Sequence, residues 1–147
     1  MLFLYCKEAS GIGGESILVD TKLILSDLYL KLGKNNAFTS HGNVIFSDFS
    51  SFFVGNIFNK DECGNYFLRF RNDKFGYFNS EISQFMDVFY DLIEKYKVIF
   101  KLEKNHGYIV NNGRFLHRRK EFEGSREMWR VLAHDNFLPI KGFSYDT

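Results

Sequence analysis

Three side chains near the C-terminal end carry the strongest chemical signal in the sequence: His117, Arg126 and Arg130. They stand in the run Asn111-Asn112-Gly113-Arg114-Phe115-Leu116-His117-Arg118-Arg119-Lys120-Glu121-Phe122-Glu123-Gly124-Ser125-Arg126-Glu127-Met128-Trp129-Arg130. If residues 126–132 form a strand, alternation puts Arg126, Met128, Arg130 and Leu132 on one face. The two guanidiniums then stand roughly 13 Å apart along the backbone, at about 3.3 Å per residue. Two arginines on an inward face require an anion, because a buried guanidinium without a partner is costly. A carboxylate is the natural one, since its two oxygens match the guanidinium fork. His117 taken alone reads as a surface or satisfied core histidine, and the arginines that follow are what give it weight. Arg119 and Lys120 read as part of a solvated turn.

These residues need a scaffold, and the hydrophobic pattern supplies one that is mainly β. Residues 2–6 form an apolar strand, Gly11-Ile12-Gly13-Gly14 turns the chain, and Ile17, Leu18 and Val19 continue into a second strand. A helix follows, capped by Asp20 or Thr21, with Leu23, Ile24, Leu28 and Leu32 at helical spacing and Gly33 at its C-terminal end. Residues 34–65 are irregular and rich in Asn, Ser, Gly and Phe, which predicts a variable excursion carrying short strands. The Phe residues there are expected to serve core packing. Residues 66–71 alternate, with Tyr66, Leu68 and Phe70 on one face. Ile82, Phe85, Met86, Phe89, Leu92, Ile93 and Tyr96 predict one helix over residues 81–97 behind Ser80 as N-cap. Beyond it, Val98, Phe100 and Leu102 alternate, Asn105-His106-Gly107 turns the chain, Tyr108-Ile109-Val110 forms a strand and Asn111-Asn112-Gly113 turns it again. No repeat or linker interrupts the chain, so residues 1–147 are expected to be one domain.

Composition excludes several function classes. The net charge of +1 provides no field for nucleic acid or an anionic membrane. The opening Met1-Leu2-Phe3-Leu4-Tyr5 has no basic flank and is too short to span a bilayer. Cys6 and Cys63 belong to no Cys-x-x-Cys pattern, so neither a disulfide framework nor a zinc knuckle is expected, and a reducing cytoplasm fits.

The run around His117, Arg126 and Arg130 resembles the distal metal-ligand segment of iron(II) and 2-oxoglutarate dependent oxygenases of the taurine dioxygenase and clavaminate synthase-like family. The N-terminal segment agrees: an apolar strand, then Gly13-Gly14-Glu15-Ser16, is similar to the family's Gly-Gly-x-Thr strand, with Ser16 in place of the threonine. The resemblance implies a double-stranded β-helix, or jelly roll, incomplete at its N-terminal side with helices outside. It implies His117 as the second His of a two-His, one-carboxylate triad holding Fe(II). It further implies Arg126 and Ser16 on the distal carboxylate of 2-oxoglutarate, and Arg130 near the end that chelates iron. The activity so implied is a dioxygenase oxidising a small-molecule substrate, with succinate and carbon dioxide as by-products.

One part of the family pattern has no counterpart. The His-x-Asp or His-x-Glu pair that precedes the Gly-Gly-x-Thr strand is missing, and His41, His106 and His134 lack an acidic residue two positions later. His134 with Asp135 is an awkward pair, because neighbours on a strand point to opposite faces. The chain is therefore expected to be a fragment, a degenerate relative, or a chain completed by another, in that order. The rival from a different class is a non-catalytic jelly-roll module that keeps the carboxylate pocket. An unfinished barrel exposes strand edges, so association into a homo-oligomer is also expected.

Overall fold

A computed structural model describes residues 1–40, 42, 44–47, 50–133 and 142–145. His41, His134 and Asp135 lie outside the described residues. Among the described residues the fold is mostly β, with three short helices, as the alternating patterns require.

Two three-stranded antiparallel sheets carry the site. In the first, β1 (Leu2–Glu8) lies between β10 (Gly107–Val110) and β13 (Glu127–Leu132). In the second, β3 (Ser16–Asp20) lies between β9 (Lys97–Phe100) and β11 (Phe115–Arg119). The sheets meet face to face where the Phe100 and Tyr108 rings pack edge to face, 5.7 Å between centroids. A two-stranded pair, β2 (Ile12–Gly13) with β12 (Phe122–Glu123), closes one end.

The hydrophobic core lies on the other side of the second sheet. Val19, with Ile17 and Leu116 beside it, packs beneath α1 (Thr21–Leu32) and α3 (Met86–Tyr96), where Ile24, Leu25, Leu28, Phe89 and Leu92 are buried. Residues 34–65 do carry short strands: β4 (Val44–Ser47), β5 (Phe52–Gly55) and β6 (Phe58–Lys60). They also supply Ala37, Phe38, Val44, Ile57 and Phe58 to the same core. Phe38 stacks on Phe89 at 5.2 Å, which ties the excursion to α3.

Local differences from the sequence reading have local causes. In α1 the N-cap is Asp20, whose carboxylate accepts the Lys22 N–H at 3.1 Å, and Gly33 closes the helix with φ +82°. Leu23 is 44% exposed while Thr21 and Leu25 are buried, because 100° per residue carries position 23 away from the 21, 24, 25, 28 stripe. The helix expected over residues 81–97 is two helices, α2 (Ser80–Ser83) and α3, broken at Gln84-Phe85. Its N-cap is Asn79, whose side chain accepts from Ile82 N–H at 3.1 Å, not Ser80. The strand expected over residues 66–71 is shorter, β7 (Tyr66–Leu68), since the Arg69 N–H already turns to the Ile57 carbonyl. The faces are as expected: Tyr66, Leu68 and Phe70 join the core. β8 (Gly76–Phe78) pairs with β4. Cys6 is buried, Cys63 is exposed, and both are free thiols. Among the described residues no helix is long and apolar enough to cross a membrane.

Candidate active site between the sheets

The strand carrying His117 is anchored at its start before it reaches the site. The Asn111 side chain accepts the Gly113 N–H at 2.9 Å and donates to the Gly142 carbonyl at 2.8 Å, fixing the turn. The Gly113 carbonyl accepts the Leu68 N–H at 2.7 Å. Arg114 then grips Asp20 with two hydrogen bonds, Nε to Oδ1 at 2.9 Å and Nη2 to Oδ2 at 2.6 Å. Asp20 also caps α1, so one carboxylate ties the helix start to the strand start.

From this anchor alternation does the rest. His117 stands opposite Leu18, and Arg119 opposite Ser16, on the face that turns toward the first sheet; Leu116 faces the helices instead. Across the gap, Leu4 is flanked by Tyr108 on one side and Arg130 on the other, in one cross-strand row. Ser16 is 2% exposed, and its hydroxyl acts on the Tyr108 phenol, favouring the ionised form.

The electrostatics show which groups share this space. Burial pushes the Tyr108 phenol up, opposed by Ser16 and then by the positive charges of Arg126 and Arg130. Burial also holds His117 below the usual imidazole value, with Arg130 as the second cause and the Phe115 carbonyl opposing. His117 is exposed by surface measure yet desolvated, as for a ring that looks into a concavity. A neutral imidazole there is a ready nitrogen donor. Arg126 is lowered chiefly by burial and next by Arg119. Among the described residues neither Arg126 nor Arg130 forms an ion pair.

All four residues singled out in the sequence, Ser16, His117, Arg126 and Arg130, therefore border one inter-sheet space. Arg126 precedes β13 instead of lying in it. Gly13 and Gly14 make its position accessible. Both have positive φ, and a Cβ at Gly14 would stand 2.4 Å from Ser10 Oγ and 3.5 Å from Arg126 Nε, while one at Gly13 would meet the Glu121 carbonyl at 2.3 Å. Sequence reasoning missed two further members. Tyr108 was legible only as a strand residue, and its inward parity follows from its register with Leu4. Arg119 lies in a strand, not a turn, and shares the face of Ser16.

A groove of about 1180 Å³ opens beside the site, where Phe115, Leu116, His117 and Arg118 meet Leu132 and Phe67. It runs along the outer edges of β11 and β13, which have no strand partner among the described residues. His106 is elsewhere, in the exposed turn before β10, with Nδ1 at 3.6 Å from Glu103.

A family model described as taurine catabolism dioxygenase TauD, TfdA family, matches residues 53–132. The match contains His117, Arg126 and Arg130 and part of the 34–65 excursion, and it leaves Ser16 outside. Comparison with curated proteins gave no match. The matched stretch is more than half of the sequence and holds three of the four singled-out site residues, and the chain belongs to the taurine catabolism dioxygenase TauD, TfdA family.

Proposed function

We propose that this chain serves the Fe(II) and 2-oxoglutarate dependent oxidation of a small-molecule substrate, with Arg126 and Ser16 on the distal carboxylate of 2-oxoglutarate, Arg130 near its chelating end, and His117 as one metal ligand. The observation that carries the reading is the convergence of a desolvated imidazole on β11 and two guanidiniums, Arg130 on β13 and Arg126 just before it, on one inter-sheet space. The fold that goes with it is a double-stranded β-helix lacking strands at one side. Support comes from the alternation of successive strands between the two sheets and from the open edges of β11 and β13. Homo-oligomerisation through such edges and a cytoplasmic location, where Cys6 and Cys63 stay reduced, belong to the same proposal.

The side chains fit 2-oxoglutarate better than they fit the metal. Two forks, a buried hydroxyl and a phenol suit a dicarboxylate. For iron, His117 supplies one donor, and among the described residues no group of three His, Cys, Asp or Glu side chains is placed to hold a metal ion. Bound iron would supply the oxidative chemistry, while the chain's own residues bind and orient the co-substrate.

The same shortage of donors favours a second reading, a non-catalytic jelly-roll module that keeps the carboxylate pocket. Succinate formation with iron(II), 2-oxoglutarate and oxygen separates the two. The oxygenase reading expects 2-oxoglutarate to be turned over and His117→Ala to abolish turnover. No succinate, with 2-oxoglutarate binding that Arg126→Ala removes, would leave the binding module.

A further inference from the structure

Arg119 has no role in the site as proposed above, yet it stands on the inward face beside it. It is the last residue of β11, directly opposite buried Ser16, and alternation puts it on the same face as His117. Its guanidinium carbon lies 4.5 Å from the centroid of the Phe122 ring, and that of Arg126 lies 5.8 Å from the same ring. Phe122 is held there by the pairing of β12 with β2, directly opposite Gly13. A single aromatic face attracts a cation, but its quadrupole does not neutralise two. The repulsion between them is felt, since Arg119 makes Arg126 less basic. Among the described residues no carboxylate comes within ion-pair distance of either guanidinium; Glu8 accepts from Ser125 and Glu127 pairs with Lys7. Like charges drawn to one ring beside a buried hydroxyl make an anion site with its counter-charge supplied from outside.

We infer that Arg119 and Arg126 form a two-guanidinium clamp, built on the Phe122 ring, that grips one carboxylate group of a dicarboxylate ligand from two sides. The inference rests on the co-substrate reading above and adds to it a residue that selects for the second carboxylate. Arg119 approaches from the second sheet and Arg126 from the segment leading into the first, so the ligand also bridges the sheets. A 2-oxo acid without a distal carboxylate would leave both guanidiniums unpaired.

Calorimetric titration of the whole chain with 2-oxoglutarate and with 2-oxobutyrate, which lacks that carboxylate, tests the clamp without requiring turnover. The clamp predicts that Arg119→Gln weakens 2-oxoglutarate about 10- to 100-fold, as for a lost charge-assisted hydrogen bond, and leaves 2-oxobutyrate unchanged. Arg119→Lys, which keeps the charge and loses the fork, should lose less. Arg119 is exposed, so an unchanged melting transition certifies the variants, and if Arg119→Gln fails to fold the Lys variant carries the test. Equal affinity of wild type and Arg119→Gln for 2-oxoglutarate, with Arg126→Gln impaired, would overturn the clamp and leave the co-substrate reading standing. If wild type binds no 2-oxoglutarate, the co-substrate reading fails. The clamp then stands if succinate binds with an affinity that needs Arg119, and falls if it does not.

Discussion

Gly14 shows at the scale of one residue how the backbone makes room for a functional side chain. Its φ of +75° already disfavours any L side chain, and a methyl group there would overlap Ser10 Oγ and crowd Phe122 Cβ at 3.3 Å. Gly14→Ala is expected to lower stability by about 1–3 kcal/mol through backbone strain alone, and to weaken anion binding as a shift of the crowded Phe122 is passed to Arg126 on its ring. Thermal melting and 2-oxoglutarate titration of the same sample check both parts. A variant with unchanged melting and binding would mean the turn relaxes freely. The inward face of Arg130 was legible from strand alternation, whereas Arg126 falls just before β13 and His117 comes from β11 of the other sheet. Tyr108 and Arg119 were not legible, because their membership depends on which strand lies across the gap. That register is set by long-range pairing, Leu4 with Tyr108 and Ser16 with Arg119, which no local pattern encodes.

At the scale of elements, two carboxylates on or beside α1 hold the helix to its neighbours, Asp20 to the start of β11 and Asp27 to α3. Asp20 caps α1 and takes both Arg114 hydrogen bonds, so Asp20→Ala should cost about 2 kcal/mol, roughly 1 for the cap and up to about 1 for the partly exposed pair. Asp20→Asn keeps a capping oxygen and should recover the first part. Chemical denaturation of the three proteins distinguishes this from a purely electrostatic role, in which Asn would be as costly as Ala. Asp27 accepts from Lys95 Nζ at 2.6 Å and from Tyr96 at 2.9 Å, clamping α1 to α3. The Lys95 hydrogen bond is the main cause that holds its carboxyl below the usual range, with Tyr96 second. A depressed carboxyl stabilises the fold above its unfolded value and loses that contribution as pH falls through the folded one. The stability gap between wild type and Asp27→Asn should therefore persist at neutral pH and close as acid is added below about pH 3.9, the ordinary aspartate value. A gap independent of pH would contradict the assignment. The caps Asp20 and Gly33 were readable in advance, since both use residues with strong intrinsic preferences. The break at Gln84-Phe85 was not, because neither residue is a helix breaker and the apolar spacing runs through it.

The whole molecule is built as two cores with different purposes. One, between the helices and the outer side of the second sheet, is closed and apolar, and the excursion at 34–65 contributes Phe38 and Phe58 to it. The other, between the sheets, is polar where Ser16, His117, Tyr108 and the arginines meet, and the groove opens beside it. The outward side of the first sheet carries Phe3, Ile109, Trp129 and Val131, with Trp129 55% exposed. Together with the edge of β13, which has no strand partner among the described residues, this surface is expected to associate. Sedimentation should show concentration-dependent assembly that Val131→Lys, a charge on that edge, reduces, and a monomer at every concentration would refute it.

On the proposed function, one inter-sheet space serves both His117 and the arginines that would bind the carboxylates. An anaerobic titration of the whole chain with iron(II) and 2-oxoglutarate reads both at once, through the visible absorption of their chelate. The account predicts a saturable band that needs 2-oxoglutarate, disappears in His117→Ala and requires higher 2-oxoglutarate in Arg126→Ala. A folded chain that yields no band, or a band indifferent to His117, would contradict it.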